Sequence, residues 1–272
     1  MAKKNKDMSF IDHLEDLRWT LFRSIVSVLV FSIIAFFSKS FIFDTILFGP
    51  TRPDFYTYKM LCKLGAKIGS DIICIDTLNF EVVNLDLAGQ FMTHITVSIT
   101  IGVVLAFPYL VWEIWKFVKP GLHDIEVTAS RAVLFSSGIL FFIGVLFGYY
   151  LLVPFGINFL STYSISETVL NTFSLSNYIN FVSMFALMSG IMFELPVAIY
   201  LLAKVGIIDD TMMIEYRKHA IVIIFIISAV VTPADVGTMI VVAIPLWSLY
   251  EISIFVAAAV TRNRIRKAKL EN

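Results

Sequence analysis

Six stretches of the chain are almost continuously apolar, and polar segments of very unequal length separate them. Ahead of the first, residues 9–18 carry Phe10, Leu14 and Leu17 at a helical spacing that Leu21 continues, while His13, Asp16 and Arg18 fall on the more polar side. This spacing predicts an amphipathic lead-in helix, with Ser9 and Asp12 placed as in a capping box. The first apolar run then covers about 19–37, with Arg23 early enough to snorkel back to the surface. The second covers about 91–118 and stops at Pro120-Gly121, since proline cannot extend a helix and glycine suits the reversal. The third, about 132–152, is predicted to end at Pro154; the fourth, about 178–203, contains Glu194 and Pro196. The fifth, 220–231, is short. The sixth, about 238–260, is interrupted by Pro245 and leads into Arg262, Arg264, Arg266, Lys267 and Lys269. Apolar helices of about 20 residues span a bilayer. The pattern therefore predicts an all-α polytopic membrane protein with six transmembrane helices.

The domain reading follows: an N-terminal amphipathic segment (1–18), a six-span membrane domain (19–260) with a long external loop at 38–89, and a basic tail (261–272). Composition agrees, because 58% of the 272 residues are hydrophobic and 15% charged. A soluble domain of that length could not cover so much apolar surface. Net charge is zero, so charge informs only once it is sorted by side. With an even number of spans, one side receives Lys3, Lys4, Lys6, Arg18, Arg23, Lys116, Lys119, Arg131, Lys204, Arg217, Lys218 and the tail. The other receives Lys39, Arg52, Lys59, Lys63 and Lys67, all in the long loop. The excess of basic residues marks the cytoplasmic side, so both termini are expected there. Met1 to Lys6 lack an apolar stretch and a cleavage site, and are not read as a signal peptide.

Chemistry concentrates where the second run leaves the hydrocarbon. Tyr109, Trp112 and Trp115 belong at an interface, where apolar rings with polar tips settle. Glu126 lies just beyond, and Asp16 lies in the lead-in helix on the same side. Each carboxylate alone reads as a solvated surface charge. Beside an aromatic floor they could instead receive something basic arriving at the membrane. Glu194 and Glu251 sit inside apolar runs, either as helix-packing hydrogen-bond partners or as polar groups lining a cavity. Cys62 and Cys74 share the external loop; a disulfide is the default there, two buried free thiols the alternative. His13, His94, His123 and His219 show no metal-ligand spacing. No phosphate-binding glycine loop, zinc-protease or nucleophile-elbow motif occurs, which argues against an ATP-driven pump or a hydrolase and for no cofactor. No feature calls for nucleic acid. An ion-coupled transporter using Glu194 and Glu251 as a proton relay is the competing reading, although the inverted repeats it would require are not visible.

Several stretches together resemble the TatC family of twin-arginine protein translocase subunits. Ser9-Phe-Ile-Asp-His-Leu-Glu-Asp-Leu-Arg18 is similar to the family's N-terminal motif, with Asp16 in its acidic position. Pro108-Tyr109, Trp115-Lys-Phe117 and Pro120-Gly-Leu-His-Asp-Ile-Glu126 resemble its first cytoplasmic loop. Phe193-Glu-Leu-Pro-Val197, Thr232-Pro-Ala-Asp235, Ala243-Ile-Pro245 and Tyr250-Glu-Ile252 match its later helices in order. The chain departs from the family at Val127-Thr128, Ala234 and Met239, and in the enlarged external loop with its cysteines. The resemblance implies a concave, glove-like receptor in the bacterial cytoplasmic membrane. It would bind twin-arginine signal peptides of folded cargo, associate with itself and with single-span TatA and TatB, and use the proton-motive force. It further implies that Glu126 and Asp16 contact the arginine pair, with Arg18, Phe117, Pro120 and Leu122 around them. Glu194 would line the concave face, and Gln90, Phe91 and Asp235 would belong to a cap on the opposite side.

Overall fold

The structure, a computed structural model, describes residues 10–69, 74, 80–118, 130–166, 171–231 and 236–271. Glu126, Pro120, Leu122 and Asp235 lie outside the described residues. Helices dominate: α1 (Phe10–Phe37), α2 (Tyr56–Ile68), α3 (Gly89–Val118), α4 (Ser130–Phe147), α5 (Val153–Thr162), α6 (Leu175–Phe193), α7 (Leu195–Val205), α8 (Asp210–Glu215), α9 (Arg217–Val231) and α10 (Val236–Glu271). Among the described residues, five helical runs are long and apolar enough to cross a membrane: His13–Phe37, Gly89–Phe117, Leu134–Thr162, Leu175–Val205 and Met239–Asn263. The remaining apolar helix, α9, has 15 residues, about 22 Å, less than a typical hydrocarbon thickness. The fold is that of an all-α polytopic membrane protein.

Four boundaries differ from expectation, each for a local reason. The lead-in segment and first span form one 28-residue helix, α1. Pro154 does not end the third run. A π-helical turn, Gly148–Leu152, precedes it and leaves Pro154 in the first turn of α5, where a missing N–H costs nothing. Pro245 does not break the sixth run, and α10 continues for 36 residues through the basic tail. The fourth run is broken at Glu194 between α6 and α7, because Pro196 can supply no amide to the helical ladder. Gly206, at φ 87°, then closes α7 with its amide and that of Ile207 returning to Leu202 O.

The chain divides into two compact units, Met1–Lys39 with His94–Gly138, and Ser40–Thr93 with Ile139–Asn272. In the first, α1 and the body of α3 approach closely at Gly102, where a Cβ would meet the Ser32 hydroxyl and amide and the Val28 carbonyl. His94 stacks on Phe36 at 4.1 Å and its Nε2 lies 3.0 Å from the Phe36 carbonyl near the end of α1.

In the second unit, Gly144 and Gly148 let α4 and its π-turn close on α6, since a Cβ there would lie 2.6 Å from Ser189 O or 2.5 Å from Phe185 O. Ala203, Met213, Ile254 and Ala257 form a core joining α7, α8 and α10. The segment after α1, read from sequence simply as a soluble loop, is built. It contains a π-helical turn Phe41–Leu47, a 3₁₀ turn Gly49–Thr51, α2 and a strand β1 (Glu81–Val83). Phenols satisfy its carbonyls: Tyr149 donates to Ile46 O (2.6 Å), Tyr178 to Leu47 O (2.7 Å) and Tyr58 to Pro50 O (2.9 Å). Strand β1 pairs in parallel with β2 (Thr172–Ser174), Val82 opposite Phe173. Cys62 and Cys74 are joined by a disulfide.

Candidate functional site

The site expected from sequence lies where α1 begins and α3 ends. His13 is in the second turn of α1 and Phe117 in the last turn of α3; their rings stack at 4.3 Å, 18° from parallel. Asp16, three residues on from His13, shares its side of the helix and is exposed, as is Arg18. Asp16 thus lies within one turn of the residue that stacks on the end of α3, after which the sequence leads to Glu126.

Beneath this stack lies a cluster that sequence reading did not find. Glu113 is 1% exposed, yet both its oxygens are occupied. Arg23 reaches Oε2 through Nε and Nη2, each at 2.9 Å, and the Tyr109 hydroxyl donates to Oε1 at 3.1 Å. A carboxylate withdrawn from water needs such pairing to remain buried. Arg23 was expected to snorkel to the surface; it instead turns to Glu113 and is 37% exposed. The signal available was one acid and one base embedded in different apolar runs. The interfacial aromatics also divide: Trp115 is buried at 7%, whereas Trp112 is 46% exposed. The Lys116 ammonium lies 5.6 Å from the Trp112 ring centre.

The two acids within the later apolar runs are placed differently from each other. Glu194 stands at the α6–α7 break; its carbonyl accepts from Val197 and Ala198 (3.0 and 2.9 Å), and one carboxylate oxygen is buried. Glu251 on α10 is bound by Arg217 of α9 at 2.8 Å, so it is an ion-pair partner and not a lone acid. Next to it, the Tyr250 hydroxyl donates to Met213 O at 2.8 Å. Gln90 and Phe91 are exposed in the first turn of α3. Among the described residues, no group of His, Cys, Asp and Glu is arranged to hold a metal.

The profile of the family described as "Sec-independent protein translocase protein (TatC)" matches residues 12–245. The chain belongs to the TatC family. The TatC protein of Blattabacterium sp. subsp. Periplaneta americana is 38% identical over 266 residues, covering 97% of this chain and all of that protein. The TatC protein of Aquifex aeolicus is 31% identical, covering 96% of this chain and all of that protein. A crystal structure of the twin-arginine translocase receptor TatC superposes with a TM-score of 0.67 at 31% identity, over 92% of this chain and 99% of the other. A second, of the same receptor in DDM, gives a TM-score of 0.71 at 32% identity, over 90% and 99%. Membership and full-length similarity identify a component of a protein translocase. They leave the ion-coupled transporter reading without support, as does the pairing of Glu251 with Arg217.

Proposed function

We propose that this chain is the signal-peptide receptor and membrane core of a twin-arginine translocase, reading paired arginines with Asp16 and Glu126. The observation that supports this most is the His13–Phe117 stack. It brings the part of α1 that carries the exposed Asp16 toward the end of α3, after which the sequence leads to Glu126. Guanidinium groups favour bidentate carboxylate partners, which lysine cannot reproduce. Arg18 would orient the acidic pair, and Phe117, Pro120 and Leu122 would offer apolar surface to the peptide's hydrophobic segment.

On this reading the chain lies in the bacterial cytoplasmic membrane with both termini inside, as the distribution of lysine and arginine supports. Glu194 lines an intramembrane concavity; Gln90, Phe91 and Asp235 belong to the opposite, external cap. The partners are cargo signal peptides, TatA, TatB and further copies of this chain, and the proton-motive force drives transport. Photo-crosslinking tests the location: a probe replacing Phe117 should capture a twin-arginine signal peptide, and a twin-lysine peptide should not compete. Capture that is equally strong from a probe at Phe91, at the other end of α3, would contradict it.

A further inference from the structure

Helix α2 presents a surface unlike that of a solvated loop. It buries Thr57, Tyr58 and Gly65 on one side. On the other, Tyr56, Met60 and Leu64 follow at i, i+4 and i+8 and are 68%, 51% and 39% exposed. A second row with the same spacing, Lys59, Lys63 and Lys67, is also exposed. At about 100° per residue the two rows lie side by side along the helix. An apolar row flanked by lysines suits the boundary between lipid headgroups and acyl chains. The apolar side chains dip inward while the lysine stems reach back to the phosphates.

Helix α2 is anchored to a run that is itself apolar. The Thr57 hydroxyl donates to the Tyr150 carbonyl at 2.5 Å, the Phe55 ring stacks on the Tyr150 ring at 5.6 Å, and Tyr56 meets it edge-on at 6.3 Å. Tyr150 belongs to the apolar run Leu134–Thr162, which is long enough to cross a membrane. The start of α2 is thus held against a membrane-crossing run, not left free in solvent. Its far end is held by the left-handed Gly69 cap and the Cys62–Cys74 disulfide.

We infer that α2 is an interfacial helix that docks on the phospholipid headgroup layer at the face reached after α1. It binds anionic lipid through Lys59, Lys63 and Lys67, with Tyr56, Met60 and Leu64 inserted at the acyl boundary. Lys59 also approaches Asp54 at 3.9 Å, an exposed pair too long to hold it from a phosphate.

The test uses the full chain, disulfide intact, in nanodiscs of phosphatidylcholine with or without phosphatidylglycerol. A benzophenone amino acid replaces Met60, Leu64 or, as controls, Leu61 on the protein-facing side and Ala66 beyond the lysine row. Lipid adducts should form at positions 60 and 64, far fewer at 61 and 66, and should increase with phosphatidylglycerol. Each basic residue near an anionic surface is worth about fivefold in binding. Lys59→Gln, Lys63→Gln and Lys67→Gln together should therefore abolish the phosphatidylglycerol dependence while leaving protein adducts at 61 unchanged. Adducts to protein alone at 60 and 64, no adducts there, or equal yields at all four positions would overturn the inference. Yields indifferent to phosphatidylglycerol would overturn its anionic-lipid part.

Discussion

Arg23 and Glu113 share one ion pair but stand in unequal surroundings, and the inequality makes a prediction. Glu113 is buried at 1% exposure, whereas Arg23 at 37% can turn to water or headgroups. Arg23→Met strands a buried carboxylate and should cost about 3 kcal/mol, near the lower end for broken buried pairs. Glu113→Gln leaves an arginine that re-solvates, and should cost about 1 kcal/mol. Arg23→Met with Glu113→Gln should recover part of the larger loss; thermal unfolding in detergent that gives simple additivity would refute the pairing. The sequence showed an acid and a base in different apolar runs but not that they pair, because a partner 90 positions away is tertiary information. Tyr58 makes a second residue-scale case. Burial pushes its phenol above the ordinary value near 10. The raised pKa means that the folded state holds the proton more tightly. Its stabilising contribution is complete below pH of about 10 and is lost as pH rises toward the folded value. Alkaline unfolding of the wild type should show this loss, and Tyr58→Phe should lessen it; an unchanged alkaline profile in the variant would contradict the assignment.

At the scale of elements, the apolar periodicity announced every long helix, and the errors cluster at prolines. Pro154 was read as a stop and Pro245 as an interruption, yet of Pro154, Pro196 and Pro245 it is Pro196 that coincides with a break. A proline's effect depends on whether the preceding turn has already left the α ladder, as the π-turn does before Pro154, and the residue itself does not disclose this. The segment between α1 and α3 was opaque for another reason. Its turns are held by phenols on α2, the π-turn before α5 and α6. Helix proximity supplies a further prediction. Gly148→Val would drive a side chain against Phe185 O and should destabilise the fold by about 1–3 kcal/mol, seen as a lower melting temperature; an unchanged one would deny the close approach of the π-turn and α6. Glu194 at the helix break belongs to the same scale. Glu194→Ala should insert and fold but lose transport, with Glu194→Gln intermediate, in assays that report accumulation and export separately. Normal export by the alanine variant would remove the acid from the pathway.

At the scale of the whole molecule, the sequence was most informative. Short motifs in a fixed order identified the family, and the family's profile covers residues 12–245. The proposed recognition site rests on residue types and on the sorting of charge along the sequence, while the His13–Phe117 stack came only from the structure. The central claim, that Asp16 and Glu126 select arginine pairs, is tested by peptide binding to the purified chain in detergent. Twin-arginine and twin-lysine signal peptides are compared on wild type, Asp16→Asn and Glu126→Gln. A charge-assisted contact contributes about 1.5–3 kcal/mol, roughly ten- to hundredfold in affinity. Glu126→Gln should therefore erase most of the arginine preference without unfolding the protein, and Asp16→Asn should reduce it less. A Glu126→Gln protein that keeps the wild-type preference for arginine over lysine would contradict the account.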